Sequence, residues 1–282
     1  MTFKELMDSR AAQYFLRLFQ NLSEDYIGLL AAGVAFYFFL AAFPAIASVI
    51  SIYGIFSDPK FVTAQIEELA RFIPPESFKI LHDQAQEIAS ADPAALGLGV
   101  LVGIGLTLFS TAKGVGALIR GLNIAYNTRE RRNILVFNSV SFLLTFVMLG
   151  YVLFALSLIA FLPAFFALIH MPQSITDIYL FLRWPLLMLS AMIGLQMIYF
   201  YAPCHTKREW KWFSWGALVA TLFWVGGSSL FSLFVTNFGK YNETYGSLGA
   251  VAVLLLWFWL SALTILLGAE INASFRPKPE RS

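Results

Sequence analysis

Long uncharged stretches alternate with short polar segments along the chain. Between Asp25 and Asp58, for example, no residue is charged, and a helix needs only about 20 apolar residues to cross the hydrocarbon core of a bilayer. The pattern predicts an all-α integral membrane protein whose single six-helix domain covers residues 26–275. The predicted spans are 27–56, 94–118, 134–162, 182–203, 212–236 and 248–275.

The polar segments predict three further elements. Residues 1–25 mix apolar and charged positions at helical spacing, which indicates a cytoplasmic amphipathic helix lying in the membrane interface; an ordinary helix packed on the ends of the bundle explains the pattern equally well. Residues 58–92 predict a short outer helical insertion, either a lid over a cavity or a plain amphipathic connection. Residues 276–282 form a basic tail.

The number of crossings in the third stretch decides the topology. Residues 133–176 contain no Asp, Glu, Lys or Arg and are long enough to cross twice. With one crossing, 13 lysines and arginines lie on the N-terminal side of the membrane and 5 on the other side. Lys113 lies within a span and is not counted. With two crossings the division becomes 9 to 9. Because cytoplasmic loops carry excess positive charge, we predict one crossing and cytoplasmic N- and C-termini.

Composition excludes several other classes of protein. Hydrophobic residues make up 59% of the chain and charged residues only 13%, which is typical of polytopic membrane proteins. Cys204 is the one cysteine, so no disulfide can form within the chain. No spacing typical of a metal site, a phosphate-binding loop or a nucleophile motif is present. We therefore expect no metal, no cofactor and no enzymatic activity.

Polar side chains concentrate between Ser110 and Asn127. Ser110, Lys113, Arg120, Asn123 and Asn127 fall within an arc of about 140° on a helix. An ionisable group at membrane depth is expensive and normally faces a bundle interior or a wet cavity, which makes Lys113 a functional candidate. The alternative is that Lys113 extends to the cytoplasmic headgroups.

An ion pair is predicted between the second and sixth spans. Counted back from Arg120 and Arg276, Lys113 and Glu270 both lie about 9 to 10 Å inside the cytoplasmic boundary. Burying either charge alone is costly, so we predict that the two pair, as a fixed strut or as part of a path for an anionic headgroup or a proton. Gln196 is expected at similar depth. The intramembrane candidates are Lys113, Arg120, Asn123, Gln196 and Glu270.

Two other groups of residues are candidates for recognition or movement. The outer loop could recognise a ligand, although a hairpin turn with interfacial tyrosines explains the same residues; its candidates are Lys240, Tyr241, Glu243 and Tyr245. Pro44 in the first span and Gly226-Gly227 in the fifth are hinge candidates, since both interrupt regular helix.

Four segments carry a family resemblance: GVAFYFFLAAFPA (33–45), STAKGVGALIRGLNIAYN (110–127), YAPCHTKREWKWFSWGALVATLFW (201–224) and YNETYGSLGAVAVLLLWFWLSALTILLGAEINA (241–273). They resemble the YihY/virulence factor BrkB family over nearly the whole chain. The resemblance implies a bacterial inner-membrane protein with about six helices. Some members carry a ribonuclease label, others are linked to serum resistance, and lipid or lipopolysaccharide export has been suggested.

These observations favour a protein that transports or translocates a lipid or another amphiphilic envelope component. Its expected partners are membrane lipids, including an anionic lipid or a lipopolysaccharide precursor, and not nucleic acid; a homo-oligomer or an envelope protein partner stays open. The alternative is a non-transporting envelope assembly or scaffold protein. A membrane-anchored ribonuclease is expected least, because metal-dependent hydrolysis of RNA needs clustered His, Asp or Glu ligands.

Overall fold

The computed structural model describes residues 10–56, 93–204, 213–237 and 247–275. In these ranges the regular elements are helical: α1 Arg10–Glu24, α2 Ile27–Phe56, α3 Pro93–Ala125, α4 Ile134–Leu156, α5 Leu162–Leu168, α6 Gln173–Tyr201, α7 Trp215–Asn237 and α8 Ser247–Ser274. Six of them (α2, α3, α4, α6, α7 and α8) are long and apolar enough to cross a membrane. The predicted all-α membrane fold with six spans is confirmed.

Two of the spanning helices are longer than predicted. Helix α3 continues to Ala125 instead of ending at 118, and α6 begins at Gln173 instead of 182. Arg120 lies inside α3, and Arg183 lies well inside α6. Arg183 extends its guanidinium over the ring of Trp184, 5.3 Å from the ring centroid. A charged residue therefore does not mark the end of either helix.

Helix α4 does not end near Pro163 as predicted. It passes into a π-helical turn, Ser157–Phe161, and then into α5, so the helical path runs on to Leu168. In a π turn each carbonyl pairs with the N–H five residues later, which for Leu158 would be the missing N–H of Pro163. The hydroxyl of Tyr179 on α6 donates to the Leu158 carbonyl instead. The proline is accommodated because a neighbouring helix supplies the absent donor.

The chain forms two compact units. The first consists of Met1–Val34, Val115–Ser229 and Trp259–Ser282, and the second of Ala35–Gly114 and Leu230–Phe258. The largest fully buried side chains of the described residues belong to the first unit, among them Ile27, Leu118, Ile119, Leu122, Tyr199 and Leu266. Within the second unit, Phe38 on α2 and Phe258 on α8 bring their ring centroids to 6.1 Å.

Glycines allow the closest helix contacts of the first unit. A Cβ added at Gly216 on α7 would lie 2.0 Å from the carbonyl oxygen of Gly268 on α8, and one at Gly268 would lie 2.3 Å from the hydroxyl oxygen of Tyr199. At Gly105 on α3, by contrast, an added Cβ meets nothing within 4 Å. The backbones of α7 and α8 can therefore touch only because neither residue has a side chain.

The remaining predicted elements are described in part. Helix α1 begins at Arg10, and its Leu18 is buried whereas Arg17 is exposed; its place in the membrane interface stays a prediction. The outer insertion 58–92 and the tail 276–282 lie outside the described residues. Pro44 lies within α2 and Gly226-Gly227 within α7, and both helices continue through these positions. Their role as hinges stays a prediction.

Candidate functional site

The C-terminal end of α3 is closed by a left-handed residue. Asn127 has φ 52 and follows the last turn, where the N–H of Thr128 donates to the carbonyl of Asn123 and the N–H of Asn127 to that of Ile124. This is the pattern of a Schellman motif, and asparagine tolerates the left-handed conformation better than most residues. The motif turns the chain back, so that the α3–α4 loop lies over Asn123.

The side chain of Asn123 fastens this loop to the end of α6. Asn123 is 3% exposed; its amide nitrogen donates to Glu130 (2.8 Å), and its amide oxygen accepts from the backbone N–H of Cys204 (2.8 Å). Arg132 donates twice to the Glu130 carboxylate, at 2.7 and 2.6 Å, and once to the carbonyl of Ala202, at 2.9 Å. We call these five residues the α3–α6 clamp.

The clamp is a charged site at the ends of two helices. The bidentate hydrogen bonds from Arg132 outweigh the opposing effect of burial and lower the pKa of Glu130 to about 2. The same bonds raise the pKa of Arg132. The guanidinium also meets a carbonyl at the negative end of α6, which is a favourable place for a cation. One nitrogen, Nη1 of Arg132, is buried without a hydrogen-bond partner.

A second arginine reaches the same corner of the molecule. The guanidinium of Arg120 lies 5.3 Å from the centroid of the Phe137 ring, and that of Arg132 lies 5.9 Å from it. Asn133 caps α4 by accepting the N–H of Val136 at 2.8 Å, which holds Phe137 in the first turn of that helix. Arg120 is exposed. We call this region the Arg120 corner. It combines the exposed guanidinium of Arg120 with the unpartnered Nη1 of Arg132.

A neutral polar network connects four helices nearby in the first unit. Ser214, just before α7, donates to Gln196 on α6 at 2.6 Å and accepts from Asn272 on α8 at 3.2 Å. Asn272 also accepts the N–H of Gly216 at 2.9 Å and donates to the hydroxyl of Tyr126 on α3 at 3.3 Å. The sequence predicts Gln196 at a depth similar to that of Lys113 and Glu270. In the structure its side-chain oxygen accepts a hydrogen bond from Ser214.

Glu270 on α8 has an acidic neighbour. Glu270 is 2% exposed, and the acidic residue near it is Asp25, which lies between α1 and α2. Its carboxyl oxygen Oε1 is buried and has no hydrogen-bond partner. In the sequence Asp25 serves only to limit the first span, so its contact with a residue 245 positions later was not predicted.

Lys113 is exposed, and its ammonium lies 5.1 Å from the centroid of the Phe109 ring, one turn earlier on α3. The structure thus gives Lys113 and Glu270 neighbours other than each other. The two residues belong to different compact units, and their ion pair stays a prediction. Within the described ranges, the ion pair that forms joins Arg132 and Glu130.

Comparison with known proteins identifies the family. The model of the family described as Virulence factor BrkB matches residues 18–282. The chain belongs to the BrkB family. It is 29% identical to the ribonuclease-like protein YfkH of Bacillus subtilis, over 86% of this chain and 88% of that protein. It is 28% identical to a UPF0761 membrane protein of Vibrio parahaemolyticus, over 93% of this chain and 81% of the relative. No solved structure matches the chain.

One predicted site in this BrkB-family protein gains no geometry. The outer-loop candidates, residues 240–245, lie outside the described residues. In the part that the structure describes, no group of three or more His, Cys, Asp or Glu side chains converges as metal ligands would. The polar sites of the described protein are therefore the clamp, the Arg120 corner, the network around Ser214, the Asp25–Glu270 pair and the exposed Lys113.

Proposed function

We propose that this BrkB-family protein lies in the bacterial inner membrane with both termini in the cytoplasm and translocates a lipid or another amphiphilic envelope component. The observation that carries the proposal is the exposure of Lys113 at the midpoint of a spanning helix. Lys113 lies 12 residues from either end of the span Leu101–Ala125, which is about 18 Å at the helical rise.

An exposed cation at this depth needs a polar neighbour. A lysine at the centre of a spanning helix costs about 2.5–3.5 kcal/mol on insertion scales. An anionic headgroup beside α3 would pair with the ammonium, so that each charge reduces the cost of desolvating the other. The proposed role of Lys113 is therefore to lower the barrier for a phosphate-bearing headgroup at mid-membrane. The ring of Phe109, 5.1 Å away, attracts the ammonium when no headgroup is there.

We assign entry of the headgroup to the Arg120 corner. Arg120 is exposed, and the unpartnered Nη1 of Arg132 faces no acceptor among the described residues. Under the positive-inside topology this corner lies on the cytoplasmic side, where arginines attract anionic lipid. An anionic phospholipid and a lipopolysaccharide precursor both carry the phosphate groups that guanidinium recognises. Energy for net transport would come from a gradient or a partner protein.

We also propose that the protein is not an enzyme and has no nucleic-acid partner. The ribonuclease-like name belongs to the Bacillus subtilis relative. Arg132, one of four arginines between residues 120 and 132, is bound to Glu130 and to the end of α6. Metal-dependent cleavage of RNA by homogeneous protein, abolished by a point substitution of a candidate ligand, would contradict this proposal.

The test is movement of fluorescent phospholipids between the leaflets of liposomes that contain the purified full-length protein. Wild-type protein should move anionic lipid faster than empty liposomes do, and Lys113→Ala should slow it. Lys113→Arg keeps the positive charge and should retain most of the movement. Wild-type protein that is folded and inserted but moves no lipid would overturn passive translocation.

A scaffold function is the second candidate. The clamp and the network around Ser214 fasten α3, α6, α7 and α8 through part-buried hydrogen bonds, which favours a static role for the first unit. A scaffold should be indifferent to Lys113→Ala and should purify with a stable envelope partner or as a homo-oligomer. Retained function in Lys113→Ala cells together with such a partner would favour this candidate.

A further inference from the structure

Arg183 is a cation within a spanning helix and has no carboxylate partner in the described part of the chain. It lies ten residues after the first residue of α6, and Asp177 is the other charged residue of that helix. Asp177 accepts a hydrogen bond from Gln173 at 3.3 Å and lies about 120° around the helix from Arg183. Among the described residues the ion pair joins Arg132 and Glu130. The charge of Arg183 is therefore left for a partner from outside.

One side of Arg183 lies against the end of α4. Tyr179, one turn earlier on α6, donates to the carbonyl of Leu158 in the π turn, and residues four apart lie on the same side of a helix. Nε of Arg183 is buried and has no hydrogen-bond partner among the described residues. The residue as a whole is half-buried, so the far end of the side chain stays open to the surroundings.

The other neighbour of Arg183 is an exposed indole ring. The guanidinium carbon lies 5.3 Å from the centroid of the Trp184 ring, and Trp184 is 58% exposed. A guanidinium offers five N–H donors and an indole one, and neither group accepts a hydrogen bond from a donor. The two side chains thus form a set of donors with a positive charge. Phosphate, an anion with several acceptor oxygens, is the group that such a set recognises.

The depth of Arg183 matches the phosphate groups of one leaflet. From Arg183 to Tyr201, beside Ala202 of the clamp, α6 rises about 27 Å, and the hydrocarbon core of a bilayer is about 30 Å thick. Side chains on a helix lean toward its N-terminus, which here is the end remote from the clamp. The neighbouring Phe181 and Leu182 are exposed and apolar. Acyl chains can therefore lie beside the donors.

We propose that Arg183 and Trp184 bind the phosphate group of a phospholipid in the leaflet opposite the clamp. The guanidinium N–H groups donate to the phosphate oxygens, and the indole ring holds the guanidinium in place. A lipid is favoured over free phosphate because the helix face around the donors is apolar. The site does not depend on lipid translocation, since it holds a lipid whether or not Lys113 assists movement.

The experiment is photo-crosslinking of the purified full-length protein in micelles of an uncharged maltoside detergent, which contains no phosphate. The probe is a phosphatidylglycerol with a photoactivatable group near its headgroup, and labelling is mapped to peptides covering residues 173–187. The variants are Arg183→Gln, Arg183→Lys and Trp184→Phe. The matched control is Arg129→Gln, which removes an exposed arginine from the α3–α4 loop. Micelles have no leaflets, so this test is separate from the test of translocation.

Wild-type protein and Arg129→Gln should be labelled equally at residues 173–187. Arg183→Gln should lower this labelling by about tenfold at a low probe concentration, because the hydrogen bonds to a charged group are lost. Arg183→Lys should retain part of it, since lysine keeps the charge but not the planar fork. If Arg183→Gln does not fold, Arg183→Lys and Trp184→Phe still test the site, and both should be labelled less than wild type.

Three results would overturn the proposal. The first is unchanged labelling in the folded variants at Arg183 and Trp184. The second is equal labelling of wild-type protein by a diacylglycerol with the same photoactivatable group, which would show an apolar contact without phosphate recognition. The third is loss of labelling when excess inorganic phosphate is added, which would show a site for free phosphate.

Discussion

The contact between Gly216 and Gly268 makes a sharp prediction about stability. Replacing Gly216 with alanine would place a Cβ 2.0 Å from the carbonyl oxygen of Gly268 and 2.5 Å from the side chain of Asn272. The nearest atom is backbone, which cannot rotate away, so α7 and α8 must move apart. Overpacking of this kind costs about 1–3 kcal/mol. The movement would also stretch the 2.9 Å bond from the Gly216 N–H to Asn272, worth about 1 kcal/mol.

Gly216→Ala should therefore lower the free energy of unfolding by about 2–4 kcal/mol. The control is Gly226→Ala in the same helix, where an added Cβ meets nothing within 4 Å. That substitution should raise stability by about 0.5–1 kcal/mol, because alanine is the better helix former. The assay is reversible unfolding of the purified protein in mixed micelles with increasing denaturing detergent. Equal unfolding free energies for the two variants would refute the close backbone contact.

Three further substitutions test the polar sites. Glu130→Gln should remove a pH dependence of the free energy of unfolding. The folded pKa of Glu130 is lowered from 4.5 to about 2. Its pairing with Arg132 therefore stabilises the fold fully above about pH 4.5, and this stabilisation is lost as the pH falls toward 2. Thermal unfolding at pH 7 and at pH 3 measures this, and a variant with the wild-type pH slope would contradict it. Asn123→Ala should cost about 1–3 kcal/mol in unfolding free energy, because the bonds of this buried amide to Glu130 and to the Cys204 N–H are lost. A loss below about 0.5 kcal/mol would contradict the clamp. Tyr179→Phe should lower the free energy of unfolding by about 1 kcal/mol, because the Leu158 carbonyl loses its donor. Amide hydrogen exchange at the π turn should become faster. An unchanged exchange rate would argue against the contact between Tyr179 and Leu158.

The sequence was sufficient for features that depend on local composition. Six uncharged stretches of membrane length predict six spanning helices because the length and polarity of each stretch decide the outcome alone. It also identified Asn123, Gln196 and Glu270 as polar positions inside the helices, and all three are buried. Polar residues in an apolar helix need partners, and this requirement is visible before the fold is known.

The partners themselves were not predictable from spacing. Asn123 meets Glu130 because the left-handed Asn127 turns the chain back. In the linear sequence Asn127 is only one more residue of the polar face. Asp25 was treated as a span boundary, although it lies beside Glu270. The depth of Lys113 was counted from Arg120, but α3 continues to Ala125. Each difference arises because distances along a helix do not show how its ends fold back onto other segments.

The most direct test of the central claim, that a mid-membrane cation assists an anionic amphiphile, is a competition between headgroups. Liposomes containing the protein would carry equal amounts of an anionic and a zwitterionic phospholipid with distinguishable fluorescent labels, and both rates of leaflet exchange would be measured in the same sample. Wild-type protein should move the anionic lipid faster, and Lys113→Ala should bring the two rates together, because the attracting charge of Lys113 is gone. Equal rates for both lipids in the wild type, or an unchanged preference in Lys113→Ala, would contradict the account.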